Sequence, residues 1–156
     1  MTTAAWFVIT YAVSKKHENI SRYMLMDTTL DKSGNVINFS VISDNDAICG
    51  ACERITEFCE NNGMQAKQTM RVSLALEEIM TVISQDNSPN EVYFDIRVFA
   101  LQDVIGIRIR YDGKDLDPLQ FEQDDERYMG ISMIQNLVHE ITYKQVVGMN
   151  SLMILI

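Results

Sequence analysis

RVSLALEEIMTVISQD, residues 71–86, holds the spacing that decides the fold. Met70, Leu74, Glu78 and then Thr81 or Val82 recur at the three- and four-residue interval that brings side chains onto one side of an α-helix. Val72, Leu76, Ile79 and Ile83 form a second run that widens the apolar surface. The stretch is therefore predicted to be one amphipathic helix with one discordant member, Glu78. A carboxylate among apolar neighbours either rolls to the helix edge and is solvated, or faces a pocket. Helical spacing alone leaves both open.

Outward from this helix the chain alternates between two periods. Upstream, Val36–Ile42 places Ile37, Phe39 and Val41 on one face and Asn38 and Ser40 on the other, the pattern of a half-buried strand. Ser43-Asp44-Asn45-Asp46 supplies capping side chains for a helix running to about Asn61, which Asn62-Gly63 stops. Downstream, Asn87-Ser88-Pro89-Asn90 ends the central helix. Val92, Phe94, Ile96 and Val98, then Ile105, Ile107 and Ile109, predict a hairpin whose other face carries Asp95, Arg97, Arg108 and Arg110. An acid-rich loop, Tyr111–Arg127, follows, of a length that suits a lid. A helix is expected over Gly130–Glu140, then strands at Thr142–Val147 and Leu152–Ile156 joined by a turn at Gly148-Met149-Asn150-Ser151. The order predicts a two-layer α/β sandwich, with a mixed, largely antiparallel sheet and helices on one face.

The chain has 156 residues, enough for one domain with one core, and 47% of them are apolar. A net charge of -9 repels nucleic acid and anionic lipid and suits a basic protein partner. Three cysteines fit a reducing cytoplasm. Cys49-Gly50-Ala51-Cys52 matches a redox spacing, but Ile48, Cys52, Ile55 and Cys59 follow helical spacing, so the cysteines are expected as small members of a buried stripe. His17 and His139 stand far from them, and no metal site is predicted. Residues 1–34 are set apart as an N-terminal arm. Met1–Val13 is apolar and aromatic and is followed by Lys15-Lys16-His17. It reads equally as the end of a membrane helix with its cytoplasmic basic flank, or as an arm of the domain.

Three stretches then fall in register with the predicted elements: Leu74-Ala75-Leu76-Glu77-Glu78, Asp112-Gly113-Lys114-Asp115-Leu116-Asp117-Pro118, and Gly130-Ile131-Ser132-Met133-Ile134, closing on Tyr143 and the 148–156 hairpin. Together, over residues 35–156, they resemble the GHKL superfamily of ATP-binding domains (the Bergerat fold), nearest to the anti-sigma-factor serine kinases and histidine-kinase-like ATPases. The resemblance implies that Glu78 is the residue that activates the attacking group. It implies that the magnesium-binding asparagine position is Val82, and that the adenine-binding aspartate position is Tyr111. Of the glycines of the second motif, Gly113 survives and the next is Asp115. In the third motif, Tyr128 and Gly130 hold the two glycine positions, and Gly130, Ile131 and Ser132 lie where backbone amides cradle phosphate. Lys114 remains as a possible nucleotide contact. A threonine that supports the adenine aspartate aligns with Met153, which with Tyr111 is expected to fill the adenine pocket.

Three functions follow as expectations. A working serine kinase or ATPase uses Glu78 as base with ATP and magnesium. A regulatory domain binds ATP weakly, holds magnesium doubtfully and has lost turnover; this is the expected one. A protein-interaction module keeps the sandwich without the ligand. The resemblance implies a partner of the sigma-factor or anti-anti-sigma kind. Homodimerisation and a membrane tether through the N-terminal arm also fit, and the location expected is the cytoplasm or the cytoplasmic side of a membrane.

Overall fold

Period-two segments became strands and period-3.6 segments became helices. In the computed structural model the described residues are 35–156 apart from 102, 103, 116, 123 and 124, and the side chains of Leu101, Glu126 and Tyr128 are likewise left aside. The N-terminal arm and its two readings lie outside the described residues. The strands are β1 (Val36–Ile42), β2 (Tyr93–Leu101), β3 (Val104–Tyr111), β4 (Glu140–Val146) and β5 (Met149–Leu155). The helices are α1 (Asn45–Asn61), α2 (Ala66–Asn87) and α3 (Glu126–Leu137). One five-stranded sheet has the order β1-β2-β3-β5-β4.

Every pairing between the described strands is antiparallel, so the sheet is not mixed. Two consecutive helices between β1 and β2 return the chain to the end where β1 finished, which reverses β2. One helix between β3 and β4 would make those two parallel, but β5 lies between them. The result is the expected two-layer α/β sandwich.

The core is one cluster. From the sheet it takes Phe39, Phe94, Ile96, Val98, Ile107, Ile109, Leu152 and Ile154; from the helices Ile48, Cys52, Ile55, Leu76, Ile79, Ile83, Ile131 and Ile134. The stripe Ile48, Cys52, Ile55 and Cys59 on α1 is buried as expected, whereas Cys49 is exposed. Asp44 caps α1 by accepting a bond of 3.1 Å from the Ala47 amide, and Gly63 adopts φ 72° just beyond its end. Among the described residues no helix is long and apolar enough to cross a membrane.

Two boundaries differ from expectation. The central helix begins after Asn62-Gly63 and reaches back beyond residue 71 to Ala66, because Lys67, Gln68 and Met70 are good helix formers with nothing to stop them. Its buried side is the second apolar run; Met70 and Leu74 are 58% and 38% exposed and form a rim. The last helix is shifted upstream, to Glu126–Leu137, since Asp125 caps it through a 2.9 Å bond from the Arg127 amide. The final turn is the pair Val147-Gly148, at φ 53° and 72°, rather than 148–151.

Positive φ at both central residues is the hairpin turn whose twist matches the strands. Gly148 takes it freely, whereas Val147, β-branched, pays for it. Val147→Asn is therefore expected to stabilise the domain by about 1 kcal/mol, measured by urea denaturation; an unchanged midpoint would show that this turn relaxes at no cost.

Cys52 and Cys59 are buried, and that burial is the main cause lifting each thiol to about 11 from 9.0. Above pH 9 the unfolded chain releases these protons while the folded chain keeps them, so stability is expected to fall as pH rises from 9 towards 11. Cys52→Ala with Cys59→Ala should flatten that part of the stability–pH curve.

Candidate functional site

The half of α2 from Glu78 to Asn87 carries the end of the first motif stretch and meets the other two, Gly130 at Glu78 and Gly113-Lys114 at Asn87. Glu78 is half-buried on the edge facing α3. A Cβ placed on Gly130 would fall 1.9 Å from Glu78 Oε1, so the carboxylate rests on a position that tolerates no side chain without moving. Val82, one turn further along, is 2% exposed and belongs to the core. An isopropyl group there offers a magnesium ion no oxygen. Among the described residues no group of three His, Cys, Asp or Glu could hold a metal.

Tyr111 ends β3 opposite Phe94 and Asn150. It is 2% exposed, and its ring lies 6.0 Å from that of Phe94 at a tilt of 43°. Burial pushes its hydroxyl far above the usual tyrosine range. Asp112, next in sequence, binds the neighbouring strand: its Oδ1 accepts 2.7 Å from the Tyr93 amide. Gly113 follows at φ 119°, and a Cβ there would meet Asn87 Oδ1 at 2.5 Å. Both the dihedral and the contact demand glycine.

Two buried amides that sequence reading passed over pin this loop. Asn87 Nδ2 donates to Ile83 O at 2.8 Å, and its Oδ1 accepts 2.7 Å from the Lys114 amide. Asn150, fully buried, accepts 2.6 Å from the Tyr143 hydroxyl and donates to the Lys114 carbonyl at 3.2 Å. The Lys114 peptide is thus held from both sides. Its ammonium donates to the Asp86 carbonyl at the end of α2, the negative end of the helix dipole. Asn87 extends the apolar spacing of Leu76, Ile79 and Ile83, and Asn150 extends the alternation of Leu152 and Ile154. A polar residue on an apolar beat was the available signal.

Arg127 closes the opposite side. It pairs with Asp86 on α2 and with Asp125, and its guanidinium stacks 4.3 Å above the Phe121 ring. These bonds hold the Asp125 carboxyl down at about 2. What remains between Asp86, Asn87, Tyr111, Lys114, Pro118 and Phe121 is a hollow of about 10 Å³. That is the room of a single water, against roughly 300 Å³ and more for a small-molecule site.

Glu78 and Gly130 are therefore brought together, Tyr111 and Lys114 meet at the hollow, and Gly113 rests against Asn87. Three expected site residues stand elsewhere. Met153 opposes Arg108 on the sheet face away from the helices, while its neighbour Leu152 opposes Ile109 on the core face. The polar residue beside Tyr111 is Asn150. Ile131 is 1% exposed and points into the core. Ser132 is half-buried, with its carbonyl accepting 2.9 Å from Asn136 Nδ2. Because α3 starts at Glu126, the amides of Gly130, Ile131 and Ser132 lie inside the helical ladder rather than at its open end. The chain matches no protein-family model and no curated protein.

Proposed function

We propose that residues 35–156 form a regulatory domain of the ATP-binding-sandwich type, akin to the anti-sigma-factor serine kinases, in which nucleotide binding is weakened and magnesium-dependent turnover is lost. Two observations carry the reading: the contact of Glu78 with Gly130 and, further along α2, a hollow lined by Tyr111 and Lys114. Glu78 and Gly130 come from motifs more than a helix apart in sequence, and a generic sandwich has no need to set an acid against a glycine. Val82 in the metal position and Tyr111 in the adenine position both replace a ligand-binding group by apolar bulk. Phosphoryl transfer depends on positioning and metal charge, and both supports are missing. Partner control in the cytoplasm, by a regulator of the sigma-factor or anti-anti-sigma kind, is the corresponding role.

Calorimetry of the full chain with ATP, with and without magnesium, tests this. Binding in the high micromolar to millimolar range with no magnesium dependence is expected. Micromolar, magnesium-dependent binding would restore the kinase reading. No heat at millimolar ATP would leave the interaction module, which the exposure of Met129 (76%) and Met70 (58%) on the helical layer favours.

A further inference from the structure

The helical layer carries a groove between the second half of α1 and the first half of α2. Its volume is about 340 Å³, and it is bordered by Thr56 and Glu60 on one wall and by Ala66, Thr69, Met70 and Leu74 on the other. That volume falls in the range of a small-molecule site. About 25 Å of α2 separates Thr69 from Asp86, which lines the hollow beside Tyr111. The two walls differ in chemistry. Met70 and Leu74 keep 58% and 38% of their surface exposed, while the run Val72, Leu76, Ile79 and Ile83 already supplies the buried side of α2. On α1 the polar atoms are acceptors. Thr56 donates its proton to the Cys52 carbonyl at 2.9 Å, which leaves its oxygen only lone pairs to offer. Glu60 is exposed and, when ionised, only accepts. Thr69 is 5% exposed, and its hydroxyl has no hydrogen-bond partner among the described residues. Buried polar groups are ordinarily bonded, so this one calls for an explanation.

We propose that this groove binds a primary arylalkylamine: an ammonium on a short chain that ends in an aromatic ring. An ammonium has three donors and no acceptor, which matches a wall of acceptors that carries one negative charge. It meets the Glu60 carboxylate and the Thr56 oxygen. A helical threonine swings its hydroxyl between two χ1 positions, and this swing brings the Thr69 oxygen to the same ammonium. The ring lies against Met70 and Leu74, where a flexible thioether fits an aromatic edge. A carboxylate of the same shape meets a like charge and lone pairs, and is refused. A neutral alcohol keeps the apolar contact but loses the charge-assisted bond.

Calorimetry of the full chain with phenethylamine as the probe should give a dissociation constant of about 1 mM or below. The titrations are run without nucleotide, so their outcome is separate from that of ATP binding. Phenethyl alcohol should bind at least tenfold more weakly, and hydrocinnamate should give no heat. Glu60→Gln, at an exposed site, should weaken the amine at least tenfold and leave the alcohol unchanged. Glu53→Gln, exposed on the same helix but outside the groove, should change neither, which separates this site from the general attraction of an acidic chain for cations. Thr69→Val keeps the shape and removes the hydroxyl, so the fold persists and the amine should bind several-fold more weakly. Equal affinity for the three probes, an amine affinity that Glu60→Gln or Thr69→Val leaves intact, a loss as large from Glu53→Gln, or no heat from phenethylamine at all would each overturn the proposal.

Discussion

Asn87→Ala and Asn150→Ala are each expected to destabilise the domain by about 2–4 kcal/mol. For a domain of this size that lowers the melting temperature by roughly 4–16 °C. Neither residue touches a charge or fills a large volume. The effect comes from what each leaves behind. Without Asn87 the Lys114 amide loses its acceptor at 2.7 Å, in a part of the loop closed over by Pro118 and Phe121. Without Asn150 the Tyr143 hydroxyl and the Lys114 carbonyl lose theirs, and a fully buried side chain leaves a void. An unmade bond of this kind costs the desolvation of the orphaned group, which exceeds the net worth of the bond itself.

The two losses should not add. Both side chains grip the Lys114 peptide, one at its nitrogen and one at the carbonyl of the same residue. Once either is gone the loop is released, and the second removal costs less. A double-mutant cycle should therefore show a coupling of about 1 kcal/mol. Strict additivity would mean that the loop after β3 is held by its packing against Phe121 and Pro118, with the amides as passengers.

Those two residues also mark where sequence reading stops. The strands were legible because each buries one face: Ile37, Phe39 and Val41 of β1 pack towards the core, as their alternation predicts. The helix of residues 71–86 was legible as a helix, but its buried side was not. Met70 and Leu74 keep the same period as Val72 and Leu76, and only the position of α1 and α3 decides which run is covered. Glu78 could be placed at an edge, and only the coordinates set it against Gly130. Met153 was misassigned because a strand's register against its neighbour is a tertiary fact; shifting by one residue exchanges Met153 for Leu152. The start of α3 was missed because Asp125 is one acid among many in its loop, and nothing in composition says which one caps a helix. Asp95 reads as a surface charge on the outer sheet face, yet it is 5% exposed and bound by Arg110 at 2.9 Å. Cross-strand pairing makes that legible only once β2 and β3 are aligned.

Val82→Asn combined with Tyr111→Asp is expected to raise nucleotide affinity at least tenfold and to do so at a heavy cost in stability. Tyr111 is among the largest fully enclosed side chains, and its loss alone should cost about 3–5 kcal/mol. Placing a carboxylate in its stead, beside Asp86 and facing Asn87 across a hollow of about 10 Å³, adds a desolvated charge. At Val82 the new amide enters a core position that is 2% exposed, where an unmade bond costs about 1–3 kcal/mol. Together these approach the roughly 5–15 kcal/mol that holds a domain of this kind together. The same arithmetic explains why filled positions persist: a pocket without a ligand is a cavity that the fold must support unaided. Removing the phenol, however, opens space, and under the proposed nucleotide reading the two new groups supply what adenine and magnesium would bind. A ligand seen only by the folded state stabilises it by about 2.7 kcal/mol at a hundred times its dissociation constant. The variant's melting temperature should thus climb with Mg-ATP, by several degrees per decade of concentration, from concentrations at least tenfold below those at which the parent chain begins to respond. Leaving out magnesium should remove part of that rise, the part owed to position 82. If the variant folds, as judged by circular dichroism, and its melting temperature ignores Mg-ATP, then the hollow beside Tyr111 is a packing feature of the sandwich, and the alignment of Glu78, Val82 and Tyr111 with a nucleotide site fails.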